Sequence, residues 1–361
     1  MNIFDTKKSA GLGFGAMRMP EEEETRKMVD AYMESEYNYF DTAHIYGGSE
    51  QMLNKTLTSR HKRDSYTIAS KLPRWQVKTL KDADRLLGES LQRLNVDYLD
   101  FYLAHSLDDS VEQFLIDLEI FPWLTEQKKK GLVKHIGFSF HGTTPFLEKL
   151  LQNYPEAEFV QLQLNYSDCL RGPASQWQNL AIKYNKPIIV MEPIKGGTLA
   201  RLPQAAADIL KKHAPERSIA SWAMQYAATL EGATCILSGM SSLLHVQDNI
   251  NTFKNFLRPL DKNELGLLNE VLNEIAKVGG IPCTACKYCH ENCPQGLLIS
   301  ELFALYNDLK QGGDKWNRDL MYNTLPKDKR ANSCIKCNAC LEHCPQHINI
   351  PEELVRVAKS F

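Results

Sequence analysis

Gly11-Leu12-Gly13-Phe14-Gly15, with Pro20 and the acidic run Glu21–Glu24 behind it, is the stretch on which the fold turns. Close glycines after a first apolar run could open a doubly wound sheet, whose Gly-rich turn holds a pyrophosphate at a helix N-terminus. Glutamates there suit the helix dipole and would repel a pyrophosphate. Outward from this stretch, apolar runs recur at Tyr39–Thr42, Tyr66–Lys71, Tyr98–His105, His135–Ser139, Phe159–Leu164, Pro187–Met191 and Thr234–Leu237. Helical stretches separate them: Glu22–Ser35, Leu80–Leu94, Ser110–Lys130, Pro145–Leu151, Ala174–Tyr184, Arg217–Thr229 and Leu243–Phe256. Leu80, Leu86, Leu87, Leu91 and Leu94 carry the spacing of one apolar helix face. Apolar runs alternating with helices predict parallel strands joined by helical crossovers. About 265 residues for eight such units fits a closed (β/α)8 TIM barrel.

The character changes after Ala276. Val278-Gly279-Gly280-Ile281-Pro282 reads as a linker, and eight of the ten cysteines follow between Cys283 and Cys344. Two domains are expected, a barrel over 1–275 and a small, mainly helical iron–sulfur domain over 276–361. Cys169 and Cys235 lie among apolar residues and read as buried structural thiols. The charge sum, 42 basic against 44 acidic residues, leaves a net −2 and no basic field for nucleic acid. The runs Lys128–Lys130 and Lys327-Asp328-Lys329-Arg330 read as solvated faces. No stretch of about 18 apolar residues predicts a membrane helix, and Met1–Lys8 lacks the pattern of a signal peptide. A cytoplasmic protein is expected.

The cysteines form two copies of one motif, Cys283-x2-Cys286-x2-Cys289-x3-Cys293-Pro294 and Cys334-x2-Cys337-x2-Cys340-x3-Cys344-Pro345. Thiolates at i, i+3 and i+6 can hold three corners of a cuboidal cluster, and the fourth, before proline, can reach a second cluster; this is the signature of two [4Fe–4S] clusters. Zinc usually takes two separated Cys pairs and gives no reason for a duplicated four-Cys run. Disulfides are disfavoured in a cytosolic chain. The longer segment between the motifs, with a helix expected over Leu298–Leu309, resembles the helical ferredoxin modules of respiratory and anaerobic iron–sulfur subunits. That resemblance implies crossed ligation, with Cys283, Cys286, Cys289 and Cys344 on one cluster and Cys334, Cys337, Cys340 and Cys293 on the other.

Asp41 and Tyr46 follow the second apolar run, Lys71 ends the third and His105 ends the fourth. In a barrel those are rim positions, where catalytic side chains sit. A carbonyl that receives a hydride needs its developing alkoxide protonated. Tyrosine is a poor acid at neutrality, near pKa ~10, and a neighbouring ammonium held by a carboxylate would improve it. Asp41, Lys71 and Tyr46 would form that relay, with His105 orienting the carbonyl oxygen.

Phe40-Asp41-Thr42-Ala43-His44-Ile45-Tyr46-Gly47, with Glu50 following, closely resembles the aldo/keto reductase signature. Ile68-Ala69-Ser70-Lys71-Leu72 and Tyr98-Leu99-Asp100-Phe101-Tyr102-Leu103-Ala104-His105 resemble the family's Lys and His motifs in the same order. The resemblance runs over about residues 10–260 and implies that Asp41, Tyr46, Lys71 and His105 form the catalytic tetrad. It implies a nicotinamide dinucleotide, NADP(H) or NAD(H), across the barrel mouth, with Ser139 and Gln161 on its carboxamide. Phe140 stands where the family usually has Asn, and Met191 where many members place an aromatic ring. Met191-Glu192-Pro193-Ile194 and Lys195 border the expected cofactor path. Gly239, His245, Asp248 and Asn249 match the pocket for the adenosine half, with His245 nearest the position of a phosphate-gripping Arg, and Arg201 could help. Met17 and Arg18 complete the expected contacts.

The function so expected is an oxidoreductase that reduces a small carbonyl compound or oxidises an alcohol. Its clusters would serve a redox protein partner or stand as a structural appendage. A flavin would bridge two-electron and one-electron chemistry, but no flavin fingerprint is present. Two further readings stand beside this one: a non-catalytic redox-sensing or nucleotide-binding docking module, and a reductase fed by flavin or ferredoxin. Trp75 and Phe140 are expected to line an apolar wall at the mouth.

Overall fold

The computed structural model describes residues 10–311 and 315–361, so Met1–Lys8 lies outside the described residues. Eight parallel strands close into a barrel in sequence order. They are β1 (Gly11–Gly15), β2 (Tyr39–Asp41), β3 (Thr67–Leu72), β4 (Leu99–Leu107), β5 (Val133–Phe140), β6 (Phe159–Gln163), β7 (Ile188–Met191) and β8 (Ala233–Ser238). Closure comes from β1 on β8, with Gly11 beside Cys235 and Phe14 beside Ser238. Strands enclosed on both faces bury nearly every residue, and they therefore read as continuous apolar runs.

Tyr39, Ala69, Phe101, Leu103, Phe159, Ile189, Cys235 and Leu237 pack together inside the barrel. Gly13 is required there: a Cβ would stand 2.6 Å from Cys235 Sγ and 2.8 Å from Leu237 Cδ2. Alternation along β5 sends Phe140 the other way. Its ring is fully buried and meets Trp177 edge-on at 5.5 Å and Phe146 at 6.3 Å. Phe140 thus packs under the helices Thr144–Asn153 and Ala174–Lys183 and does not line the mouth.

Leu80–Leu94 forms one helix, opened by a Thr79–Asp82 capping box and closed by Asn95 in the left-handed region. The long helix expected over Ser110–Lys130 is two, Glu112–Asp117 and Ile120–Lys129, because Glu119 adopts φ 47° between them. The linker expected from Val278 begins one residue later, since Val278 still ends the helix Lys262–Val278 and Gly279 caps it at φ 67°. Among the described residues no helix is long and apolar enough to cross a membrane.

The chain divides into two compact units. One runs to Pro193 and resumes over Ser221–Leu260; the other comprises Ile194–Ala220 and Asp261–Phe361. The second unit has its own core, in which Leu302, Phe303 and Tyr306 of the helix Ile299–Lys310 meet Leu354 and Val357 of the helix Ile350–Ala358. Its entry is pinned by Asn307, which accepts from Ile281 N at 2.7 Å and donates to Ile281 O at 2.7 Å.

Candidate active site

The C-terminal ends of β2 to β6 converge on one buried polar group. Lys71 is 1% exposed, and its Nζ donates to Asp41 Oδ1 at 2.6 Å, to the Thr42 carbonyl at 2.7 Å and to Tyr46 Oη at 3.3 Å. An ammonium has three N–H groups, and all three are spent. Burial opposes the charge on Lys71, but Asp41 and then Tyr46 outweigh it and hold the ammonium above the ordinary lysine range. Burial pushes the Asp41 carboxyl up, while Lys71 and the Gln161 amide push back. Tyr46 is half-buried, on the loop after β2.

His105 sits where β4 leaves register with β5, between Ala104 and Leu107, and the next residue, Ser106, takes φ 56°. Bulges and left-handed non-glycine residues carry strain that recurs at sites which re-aim a side chain. The imidazole centroid lies 5.9 Å from that of Tyr46 and 5.7 Å from that of Trp75. Burial first, then the charges of Lys71, His141 and Arg74, drives His105 well below its ordinary pKa, so the ring is neutral.

Gln161 on β6 donates from Nε2 to Asp41 Oδ2 at 3.2 Å. Its Oε1 is buried and has no hydrogen-bond partner among the described residues, a cost that an incoming N–H donor would remove. Ser139 on β5 accepts from Ser106 N at 2.7 Å, which leaves its hydroxyl hydrogen to be directed. An acceptor from Gln161 and a donor from Ser139 fit the two ends of a carboxamide. Behind them Ser70 donates to the buried Glu50 at 2.7 Å, and Arg93 meets Glu50 at 3.4 Å.

The eight motif cysteines line two cavities. One is lined by Cys283, Cys286, Cys289 and Cys344, the other by Cys293, Cys334, Cys337 and Cys340. None of the ten cysteines is in a disulfide. The two loops share a backbone pattern. Ala285 and Lys287 have φ 54° and 67°, and their counterparts Lys336 and Asn338 have 54° and 64°. Gly296 (59°) and His347 (50°) repeat the match after the fourth cysteine of each motif. Left-handed turns of this kind make backbone nests that face an anion. Ala285 N donates to Cys283 Sγ at 3.4 Å and Leu297 N to Cys293 Sγ at 3.5 Å. Burial raises the Cys340 thiol to about 11 and Cys289 further still. Bare thiolates are therefore costly here, and a cluster's iron would compensate them.

A model of the aldo/keto reductase family matches residues 11–273. The chain belongs to the aldo/keto reductase family. A 4Fe-4S dicluster domain matches residues 282–348, after the reductase part. L-galactose dehydrogenase of Arabidopsis thaliana is 27% identical over 265 residues, covering 67% of this chain and 79% of that protein. Among solved structures, the holo form of aldo-keto reductase AKR11C1 from Bacillus halodurans superposes with a TM-score of 0.60 at 24% identity, over 72% of this chain and 91% of that one. An aldo/keto reductase from Klebsiella pneumoniae, in complex with NADP and acetate, gives 0.61 at 21%, over 72% and 90%. These structures establish likeness of fold.

In this aldo/keto reductase, several expected cofactor residues come together at the β1 and β8 ends. Met17 and Arg18 lie on the turn after β1, and Arg18 Nη1 would be 3.5 Å from a Cβ on Gly239. Asn249 donates to Ser238 Oγ at 2.8 Å, and the exposed His245 accepts from Ser241 N at 3.3 Å. Asp248 shares their helix, Leu243–Asn255. Met191 packs against the barrel interior, and the Glu192 carbonyl accepts from Asn165 Nδ2 at 3.1 Å. Ile194 and Lys195 belong to the second unit, with Lys195 on the turn Lys195–Gly197. Sequence reading missed Glu24, whose carboxylate accepts from Leu243 N at 2.9 Å at the start of that helix. It also missed the Gln161–Asp41 bond. Neither has a local signal, since the partners lie 219 and 120 residues apart.

Proposed function

We propose that the barrel, the part of the chain over 1–275, reduces a small carbonyl compound, or oxidises the alcohol in reverse, with NADP(H) or NAD(H). The observation that carries this is the Lys71 ammonium, whose three hydrogens are committed to Asp41, Thr42 and Tyr46. Lys71 so bound cannot itself hand a proton to a substrate. Because Tyr46 Oη accepts from Lys71, Tyr46 can act as the proton donor, and the ammonium stabilises the tyrosinate left behind. Asp41 keeps Lys71 charged and in place. Neutral His105 donates an N–H to the carbonyl oxygen, which orients it and draws off charge. Gln161 and Ser139 bind the carboxamide of the nicotinamide, and Trp75 provides an apolar wall beside His105. When bound, the nicotinamide supplies the hydride. The NADP complex of the Klebsiella relative supports this reading.

For the part over 276–361 the reading is two [4Fe–4S] clusters with crossed ligation, serving as a one-electron port to a redox protein. Support comes from the two four-cysteine cavities. Among the described residues, no three His, Cys, Asp or Glu side chains gather as ligands of a single ion. A cuboidal cluster instead spreads its thiolates over separate corners.

The test uses reconstituted holoprotein under anaerobic conditions, with a panel of aldehydes and ketones and either nicotinamide. Turnover is expected, and Tyr46→Phe should lower kcat/KM about 10²–10⁴-fold with nicotinamide affinity unchanged. A wild type that turns over no carbonyl or alcohol, or a variant equal to it, would overturn the proposal.

A further inference from the structure

The two cysteine loops share one backbone pattern but have opposite surroundings. In the first, Thr284 is 1% exposed, and a Cβ on Gly196 would stand 2.4 Å from Thr284 Cα and 2.5 Å from its carbonyl oxygen. Only glycine, at φ 63°, lets the turn Lys195–Gly197 press so closely on that loop. In the second, the equivalent residue is Ile335, 59% exposed, and Lys336, Cys337 and Asn338 after it are exposed as well. Thr284 of the first loop is covered by its own unit, whereas the equivalent residue of the second loop and the three after it lie open.

The open loop is also the basic one. From 327 to 338 the chain carries Lys327, Lys329, Arg330 and Lys336 against one carboxylate, Asp328. Lys329 reaches the other arm of the same cavity, donating to the Gln295 carbonyl at 2.7 Å just past Cys293. Ser333 ties the basic turn to the start of the motif by donating to the Lys327 carbonyl at 2.9 Å. A local positive rim on a chain of net charge −2 gives a partner a direction of approach that the whole molecule does not.

We propose that this rim, around the cavity of Cys293, Cys334, Cys337 and Cys340, docks a small acidic one-electron carrier protein. The inference rests on the electron-port reading of the clusters. Electron transfer between proteins falls steeply with distance, and the exposed Cys337 loop offers the shorter approach. The step is a single-electron exchange. The reduced carrier loses one electron, the oxidised cluster gains it, and no bond or proton is required to move. Two such exchanges reduce the two clusters by one electron each.

The experiment uses the full-length reconstituted holoprotein without nicotinamide, so that its outcome is independent of the tetrad. A chemically reduced acidic [2Fe–2S] ferredoxin is mixed with the oxidised protein in stopped flow, and cluster reduction is followed by visible absorbance and EPR. Methyl viologen radical is the small-molecule control. The rate from ferredoxin should fall about tenfold or more as salt is raised, since steering charges are screened. Lys327→Glu, at the exposed turn before the motif, should slow it about two- to fivefold at low salt. This variant should keep the EPR signals and the viologen rate, and carbodiimide cross-links should map to the 327–336 rim. Lys129→Glu, in the other basic run and 67% exposed, should change nothing. A rate indifferent to salt and to charge reversal, or one slowed equally by Lys129→Glu, overturns the proposal. Reduction by viologen but not by ferredoxin overturns the docking and leaves the electron port standing. Failure of both reductants removes the port as well.

Discussion

Replacing Lys71 with Met removes the charge at the centre of the site and keeps the length of the side chain. The structure sets the size of the effect. Lys71 and Asp41 side chains are 1% and 5% exposed and 2.6 Å apart, so water cannot take over when the ammonium leaves. Asp41 would keep only the Gln161 amide at 3.2 Å. Removing one partner of a buried pair costs about 3–5 kcal/mol, since the other charge is left uncompensated. For a barrel of this size that is about 5–15 °C in Tm. With Tyr46 as the acid proposed above, loss of the ammonium beside it should lower kcat about 10²–10⁴-fold. The double variant Asp41→Asn/Lys71→Met separates the two effects. It removes both charges, so most of the stability should return while the activity stays low. Circular dichroism melts and steady-state kinetics on the holoprotein measure both. Unchanged Tm in the single variant, or recovered activity in the double one, would show that the buried Lys71–Asp41 pair does not act this way.

Further expectations follow from the same geometry. His105 is held well below its ordinary 6.5 by burial. Below that pH the unfolded chain takes up a proton that the native state refuses, so this contribution to stability is present above 6.5 and lost as pH falls toward the native value. Urea midpoints across that range should decline less steeply in His105→Asn. Gly13→Ala forces a methyl against Cys235 Sγ at 2.6 Å and should cost about 1–3 kcal/mol by overpacking, read as a lower urea midpoint. Glu24→Gln removes a negative charge from the N-terminus of the helix Leu243–Asn255. A helix-end charge is worth about 0.3–1 kcal/mol, so the ratio of kcat/KM for NADPH over NADH should rise about two- to fivefold.

The barrel was legible because enclosed parallel strands must be apolar throughout, and the eight runs stand out against the amphipathic helices between them. Ends and breaks were less so. Glu119 interrupts a helix in a left-handed conformation with no glycine or proline to announce it. The helix Gln204–His213 has no side-chain N-cap, follows Pro203 and buries only Ala206 and Leu210, a weak periodic signal. Phe140, expected at the mouth as an aromatic residue near it, is turned by the strand's alternation into the helix layer. Asp41, Tyr46, Lys71, His105 and the motif cysteines are legible because each stands in a dense local motif. The Ser106 bulge, the Gln161–Asp41 bond and the close approach of Gly196 to Thr284 depend on contacts between distant segments, which no local pattern encodes.

Hydride transfer to a carbonyl, with Tyr46 as the proposed proton donor, can be followed with deuterium in single turnovers of the anaerobic holoprotein, using nicotinamide deuterated at C4 and an aldehyde substrate. One alcohol should form per nicotinamide oxidised, with deuterium on the carbinol carbon and the hydroxyl proton from solvent, and the reaction should be lost in Tyr46→Phe. Alcohol formed without the label, from chemically reduced clusters and with no nicotinamide consumed, would rule this mechanism out.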